Sequence, residues 1–216
     1  MSPLHMEDAD QFDSALLTSA MSLAASKGWR NISMPAIARN ADLDIGEVRT
    51  RYPFKTSILL LLGRLADRAA LVDDGSLSTP RETLFDLLMR RFDVFQQYRE
   101  GVLTVLRSLP FDPPLAVILG LATMDSMNWI AAAAGIETSG LQGALRIQGV
   151  TAIWTYTLRA WEKDESEDLG TTMAVLEQGL DRAERMGLFP TTSQPALDSP
   201  ADSSGTGGET DAGFVE

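Results

Sequence analysis

Ser33-Met34-Pro35-Ala36-Ile37-Ala38-Arg39-Asn40-Ala41-Asp42-Leu43-Asp44-Ile45-Gly46-Glu47-Val48-Arg49-Thr50-Arg51-Tyr52-Pro53-Phe54-Lys55 is the stretch on which the fold turns. Ser33 has the side chain of a helix N-cap, and Pro35 falls in the first turn, where its missing N–H costs little. A short helix over Met34–Asn40 is predicted. Asp44 then caps a second helix, which must stop before Pro53 because the residue preceding a proline is pushed out of the α region. Ile37, Ala38, Leu43 and Val48 have the spacing to pack the two helices together. Gly46, Glu47, Thr50 and Arg51 are left facing outward, with Arg49 near the rim.

Upstream, Leu16, Leu17, Ala20, Met21, Leu23 and Ala24 mark one broad apolar face of a helix over residues 13–26, ended by Lys27-Gly28. Downstream, a fourth helix begins near Phe54-Lys55 and runs through Leu59 to Leu62 to about residue 72. Asp73-Asp74-Gly75-Ser76 breaks the chain. Thr79-Pro80-Arg81-Glu82 then reads as a capping box with proline at the first helical position. Helical spacing recurs to about residue 98, over 100–109, in two long helices over 115–134 and 141–161, and in a last helix over 169–186. Strand alternation is absent, so the fold class is all-α. From Pro190 onward the composition is that of a disordered tail.

The sequence holds 216 residues, 44% of them hydrophobic, enough for a substantial core. It has no cysteine, which excludes disulfides, thiolate metal sites and thiol nucleophiles. Its single histidine, His5, lies in a polar N-terminal stretch, so histidine zinc sites and Ser-His-Asp chemistry have nothing to work with. The acid pairs Asp73–Asp74 and Asp164–Glu165 fall in turns, with no glycine-rich phosphate loop nearby. No metal, no cofactor and no enzymatic activity are expected. Glu7, Asp8, Asp10 and Asp13 stand where a signal peptide needs a basic start and an apolar run. The most apolar stretch, 115–134, is interrupted by Asp125 and Asn128 and is expected to be a poor membrane span. A cytoplasmic chain follows. The net charge of −12 is unevenly spread. Residues 11–60 hold six basic against four acidic side chains, a net of +2, whereas residues 190–216 hold five acidic and no basic ones.

Three short helices with a three-residue connection between the second and third make a helix-turn-helix, in which the third helix is small enough to enter a DNA major groove. At these positions the chain resembles the TetR family of transcriptional regulators. The resemblance spans about residues 12–68. It rests on Ala15-Leu16-Leu17 through Gly28-Trp29, Ser33 to Ala38, the glycine Gly46 in the third helix, Tyr52-Pro53, and Lys55. It implies double-stranded DNA as partner, a homodimer, and release by a small apolar effector. It also implies a flexible N-terminus over 1–11, a DNA-binding module over 12–55, a ligand-binding and dimerisation domain over 56–187, and a disordered acidic tail over 188–216. Carried over position by position, the DNA-facing set is Ser33, Gly46, Glu47, Arg49, Arg51 and Lys55. Lys55, at a helix start, is expected to hold phosphate by charge and helix dipole together. Tyr52 is expected to pack inside the module.

The chain also departs from the family pattern. Glu47 replaces a small hydroxyl residue, Arg49 and Arg51 replace a tyrosine and a histidine, and Ile45 replaces a polar residue. An unusual operator accounts for these, since arginine bonds guanine edges and glutamate accepts from cytosine; so does lost DNA binding, with the arginines as solvated surface charges. In the remainder, Phe85, Met89, Phe92, Met124, Met127 and Trp154 form the expected ligand pocket, or plain core. Phe95, Trp129 and Tyr156 belong to the same aromatic set. The last two long helices are the expected dimer surface, with Arg146, Arg159 and Arg182 at its rim or in water. A second, fainter resemblance covers 115–186 and rests on Gly135-Ile136, Arg146-Ile147-Gln148-Gly149, Trp154 and Trp161. It is to the lipid-binding accessory proteins of ubiquinone biosynthesis, which share the fold, and it implies a bound isoprenoid lipid and no DNA binding.

Overall fold

The computed structural model describes residues 3–72 and 79–189. The expected break at 73–76 and the tail from 190 lie outside the described residues. Within them the chain is helical, with no strand. The helices are α1 (Pro3–Lys27), α2 (Met34–Asn40), α3 (Ile45–Arg51), α4 (Thr56–Ala70), α5 (Pro80–Gln97), α6 (Arg99–Ser108), α7 (Pro113–Ala133), α8 (Gly140–Trp161) and α9 (Gly170–Arg185). Short 3-10 turns at Trp29–Asn31 and Leu109–Phe111 follow α1 and α6.

Most ends obey their local caps. Gly28 takes φ 85 to end α1, and Thr79 and Glu82 close the capping box that starts α5. The N-terminus departs from expectation: residues 3–11, expected to be flexible, are the first turns of α1. No glycine or proline interrupts residues 4–27, and a helix already anchored by Phe12, Leu16 and Ala20 in the core propagates outward at little cost. At the other end Phe189 is 7% exposed, so the body extends two residues into the expected tail.

Helix α1 packs on α2, α4 and, most extensively, α6. At that crossing the backbones nearly touch: a Cβ on Gly101 would stand 2.7 Å from the Met21 Cβ and from its carbonyl oxygen. The first three helices are therefore held to the body twice, by chain continuity into α4 and by this close approach. Helix α4 packs on α5 and α7, α8 packs on α7 and α9, and α9 returns to α5. There Arg81 bonds Asp181, with Glu184 at 3.7 Å, and the Asp181 carboxylate raises the Arg81 pKa above its ordinary value. The centre is aromatic. Phe92 stacks on Trp154 with centroids 4.5 Å apart, and Trp161, fully buried, lies 6.3 Å from Phe92 and 6.2 Å from Phe95. Its indole N–H donates to the Gln96 side-chain oxygen at 3.0 Å.

The turn between α8 and α9 is built on one buried carboxylate. Asp164 accepts from the backbone N–H and hydroxyl of Ser166 at 3.2 and 2.5 Å, and from those of Thr172 at 2.7 Å each. Burial alone would raise its pKa; the hydroxyl and amide donors outweigh that and hold it at about 2. A carboxylate depressed in the folded state stabilises above its unfolded value, about 3.9, and loses that contribution as pH falls through its folded value. Asp164→Asn is therefore expected to be less stable than the parent at pH 6, with the gap closing between about pH 4 and pH 2. Urea midpoints of the two proteins at several pH values test this. A gap independent of pH would assign the effect to shape rather than charge.

One face of the molecule is apolar and uncovered. Val117, Ile118, Leu121, Met124 and Trp129 of α7 are exposed, as are Leu141, Leu145 and Tyr156 of α8. By length and composition alone α7 would be long and apolar enough to cross a membrane, with a mean hydropathy of 1.4 over its most apolar 18-residue window, a test that the core helices of soluble proteins also pass. By contrast, α9 presents mainly Thr171, Glu177, Gln178, Arg182 and Glu184 to solvent.

Candidate nucleic-acid interface and ligand cavity

Helices α2 and α3 are fixed by side chains at both ends. The Ser33 hydroxyl accepts from Ala36 N at 3.4 Å, and the Asp44 carboxylate accepts from Glu47 N at 2.8 Å. Between them Asp42 takes φ 55, a left-handed conformation that aspartate tolerates better than most residues, and Leu43 N returns to the Ala38 carbonyl at 2.9 Å. Ile37, Ala38 and Val48 are buried and Leu43 partly so, as their spacing predicted. Ser19 of α1 donates to the Ile37 carbonyl at 2.8 Å and accepts from Asn40 at 3.0 Å. Tyr52, at the end of α3, packs inside and donates to Asp13 at 2.6 Å. Burial and then this carboxylate push its pKa up to about 12, against the pull of Arg64 on α4 close by.

Ile45, Gly46, Glu47, Arg49, Thr50 and Arg51 all lie on the exposed side of α3, and Ser33 is exposed at the start of α2. Two of the charged groups are paired with each other: Arg51 meets Glu47 at 2.7 Å one turn away. The Arg51 guanidinium also lies 4.2 Å from the centre of the Phe12 ring, and Arg49 donates to the Pro53 carbonyl. Lys55 is engaged within the chain. Its ammonium donates to the carbonyls of Trp29 and Ile32 at 2.8 and 3.2 Å and sits over the Trp29 ring at 4.9 Å. Burial lowers its pKa. Two of its three N–H bonds thus fasten the start of α4 to the turn that follows α1, whose Trp29 and Ile32 carbonyls lie within its reach.

Helices α4, α5, α7 and α8, with α6 at one end, line a half-open cavity of about 430 Å³. Of the six residues expected to line it only Trp154 does so, joined by Phe95 from the wider aromatic set. Phe92 and Met127 are fully buried core, and Phe85 and Met89 pack at its margin. Met124 faces a separate outer groove with Gln148, Tyr156 and Arg159. Helical phase explains the difference, since the side of α5 that meets the cavity carries Arg91 and Phe95, while Phe92 turns towards Trp154. The sequence reading missed the polar wall altogether. Arg91 of α5 pairs with Asp67 of α4, whose other oxygen accepts from Ser126 of α7 at 2.7 Å. The available signal was an arginine within the apolar phase that holds Leu84, Leu88 and Phe95.

No family model and no curated protein matches this chain. Among solved structures, it is similar to the TetR transcriptional regulator from Nitrosomonas europaea ATCC 19718, at 21% identity and TM-score 0.68, over 81% of this chain and 98% of that one. It is also similar to a TetR transcriptional regulator from Rhodococcus sp. RHA1, at 16% identity and TM-score 0.52, over 78% and 92% of the two chains. The chain has the fold of TetR-type regulators, a helix-turn-helix followed by a helical bundle, as the sequence resemblance implied.

Proposed function

We propose that the chain is a DNA-binding transcriptional regulator, a dimeric repressor that reads a palindromic operator through α3 and is released by a small apolar effector held in the cavity. The observation that carries this is the α2–α3 pair, capped at Ser33 and Asp44 and presenting Ile45, Gly46, Arg49 and Thr50 outward. The fold shared with TetR regulators agrees with it. Glu47 enters the DNA-facing set as the partner of Arg51, which removes most of the repulsion that a lone carboxylate would offer a phosphate. The apolar face of α7 and α8 takes a second copy of this chain. Exposed apolar patches of this extent mark interaction sites, and a module with a net +2 needs a second beside it, about one helical turn away, for useful affinity.

Selection of bound duplexes from a random DNA pool tests the reading. The protein is expected to enrich a palindrome, and Arg49→Ala/Arg51→Ala to bind it at least about tenfold more weakly, since each good base contact contributes about 1–3 kcal/mol. No enrichment at low salt from a folded dimer would sink the regulator reading. Extraction for a bound lipid would then test the accessory-protein alternative.

A further inference from the structure

The polar set in the cavity wall is out of keeping with its surroundings. Arg91 is 3% exposed, flanked by the rings of Trp154 and Phe95 with centroids at 4.8 and 5.8 Å. Burial draws its pKa down to about 10, so it is charged at neutral pH. A buried ion pair of this kind is a weak source of stability, because well-packed apolar side chains in its place commonly do as well or better. It is also incompletely satisfied. The Nε of Arg91 is buried without a hydrogen-bond partner, whereas both oxygens of Asp67 are engaged, one by Arg91 and one by Ser126. The unmet group on this wall is therefore a donor. A molecule that answers it brings an acceptor, and the neighbouring Leu59, Leu62, Val102, Val105, Leu106 and Leu119 call for hydrocarbon.

We propose that the cavity binds the anion of an apolar monocarboxylic acid, whose carboxylate takes Arg91 from Asp67. This rests on reading the cavity as the effector site. The volume, about 430 Å³, lies in the range of about 300–1,000 Å³ that small ligands occupy. A carboxylate accepts two parallel N–H bonds from the guanidinium fork, a geometry that an alcohol or an ester oxygen does not reproduce. A cation finds no free oxygen on Asp67. Among the other charges that line the cavity, Asp125 opposes the anion and Arg64 offsets it, both from exposed positions. Once displaced, Asp67 no longer ties α4 to α5. Helix α4 is the element that follows directly on the helix-turn-helix, so occupancy is felt there first.

The test is calorimetric titration of the full chain, without DNA, with decanoate and with decanol. Decanoate is expected to bind at least tenfold more tightly than the alcohol. Arg91→Met, which keeps the length and removes the charge, abolishes that preference. Asp67→Asn, which weakens the competitor, raises decanoate affinity and leaves decanol unchanged. If Arg91→Met fails to fold by circular dichroism, Asp67→Asn decides alone. Equal binding of acid and alcohol, no binding of decanoate, or an Asp67→Asn variant that gains no affinity for the acid overturns the proposal. Because no DNA is present, its failure leaves the operator selection standing, and a failed selection leaves acid binding standing.

Discussion

Gly101→Ala is expected to lower the thermal midpoint by roughly 6–10 °C, from one added methyl group. The position is fixed on both sides, because its Cβ would meet the Met21 Cβ, carbonyl oxygen and Cα within 2.8 Å. Two of those atoms are backbone, so no rotamer change makes room and α1 has to move away from α6. Overpacking of this kind costs about 1–3 kcal/mol, and backbone contact places this case at the upper end. For a chain of this length each kcal/mol corresponds to roughly 2–4 °C. Gly120→Ala on α7 is the control: nothing lies within 4 Å of its added carbon, and alanine in a helix is favoured over glycine by roughly 0.5–1 kcal/mol. A Gly101→Ala midpoint within about 2 °C of the parent would show that α1 and α6 are not locked at this crossing.

Trp161→Ala is expected to cost more, about 3–5 kcal/mol, or roughly 6–20 °C. Trp161 is fully buried, so truncation opens a cavity beside Phe92 and Phe95. It also takes the indole donor from the Gln96 side-chain oxygen, which keeps Arg99 at 3.4 Å, and removes the ring over which the Arg99 guanidinium lies at 4.8 Å. Arg99 would still bond the carbonyls of residues 161 and 162, at 3.0 and 3.4 Å in the parent, so the end of α8 stays tied to α6. Trp161→Phe separates the two contributions: it retains most of the packing and loses the indole donor. Melts of the three proteins at one concentration are the measurement. A Trp161→Ala loss no larger than that of Trp161→Phe would mean that the hydrogen bond, rather than the packing, dominates.

What the sequence disclosed and what it withheld divide along a physical line. Ser33, Asp44, Pro53 and the Thr79–Glu82 box each act within four residues of themselves, so the helix boundaries they set were readable within a residue or two. The burial of Ile37, Ala38 and Val48 followed from periodicity for the same reason. Contacts between distant residues were not legible. Arg91 and Asp67 stand 24 positions apart, and neither spacing nor composition says that they pair across a cavity. Lys55 looked like a phosphate contact because its position favours one; that the carbonyls of Trp29 and Ile32 would claim it depends on how α1 ends in space. The cavity lining was hidden in the same way, since knowing that a helix face is apolar does not say which neighbour fills it and which leaves a void.

The internal use of Lys55 bears on how such a protein would find its target. A cation committed to the chain's own carbonyls, as Lys55 is, releases few counterions from a duplex, and non-specific attraction falls with every phosphate contact forgone. The overall charge of −12 sets a long-range repulsion against the +2 of the module, so little remains to draw the molecule along random DNA. A regulator built this way spends little of its time parked on the rest of the genome. Its copies stay in free solution, so that a small number suffices to occupy one site, at the expense of slower capture on each encounter.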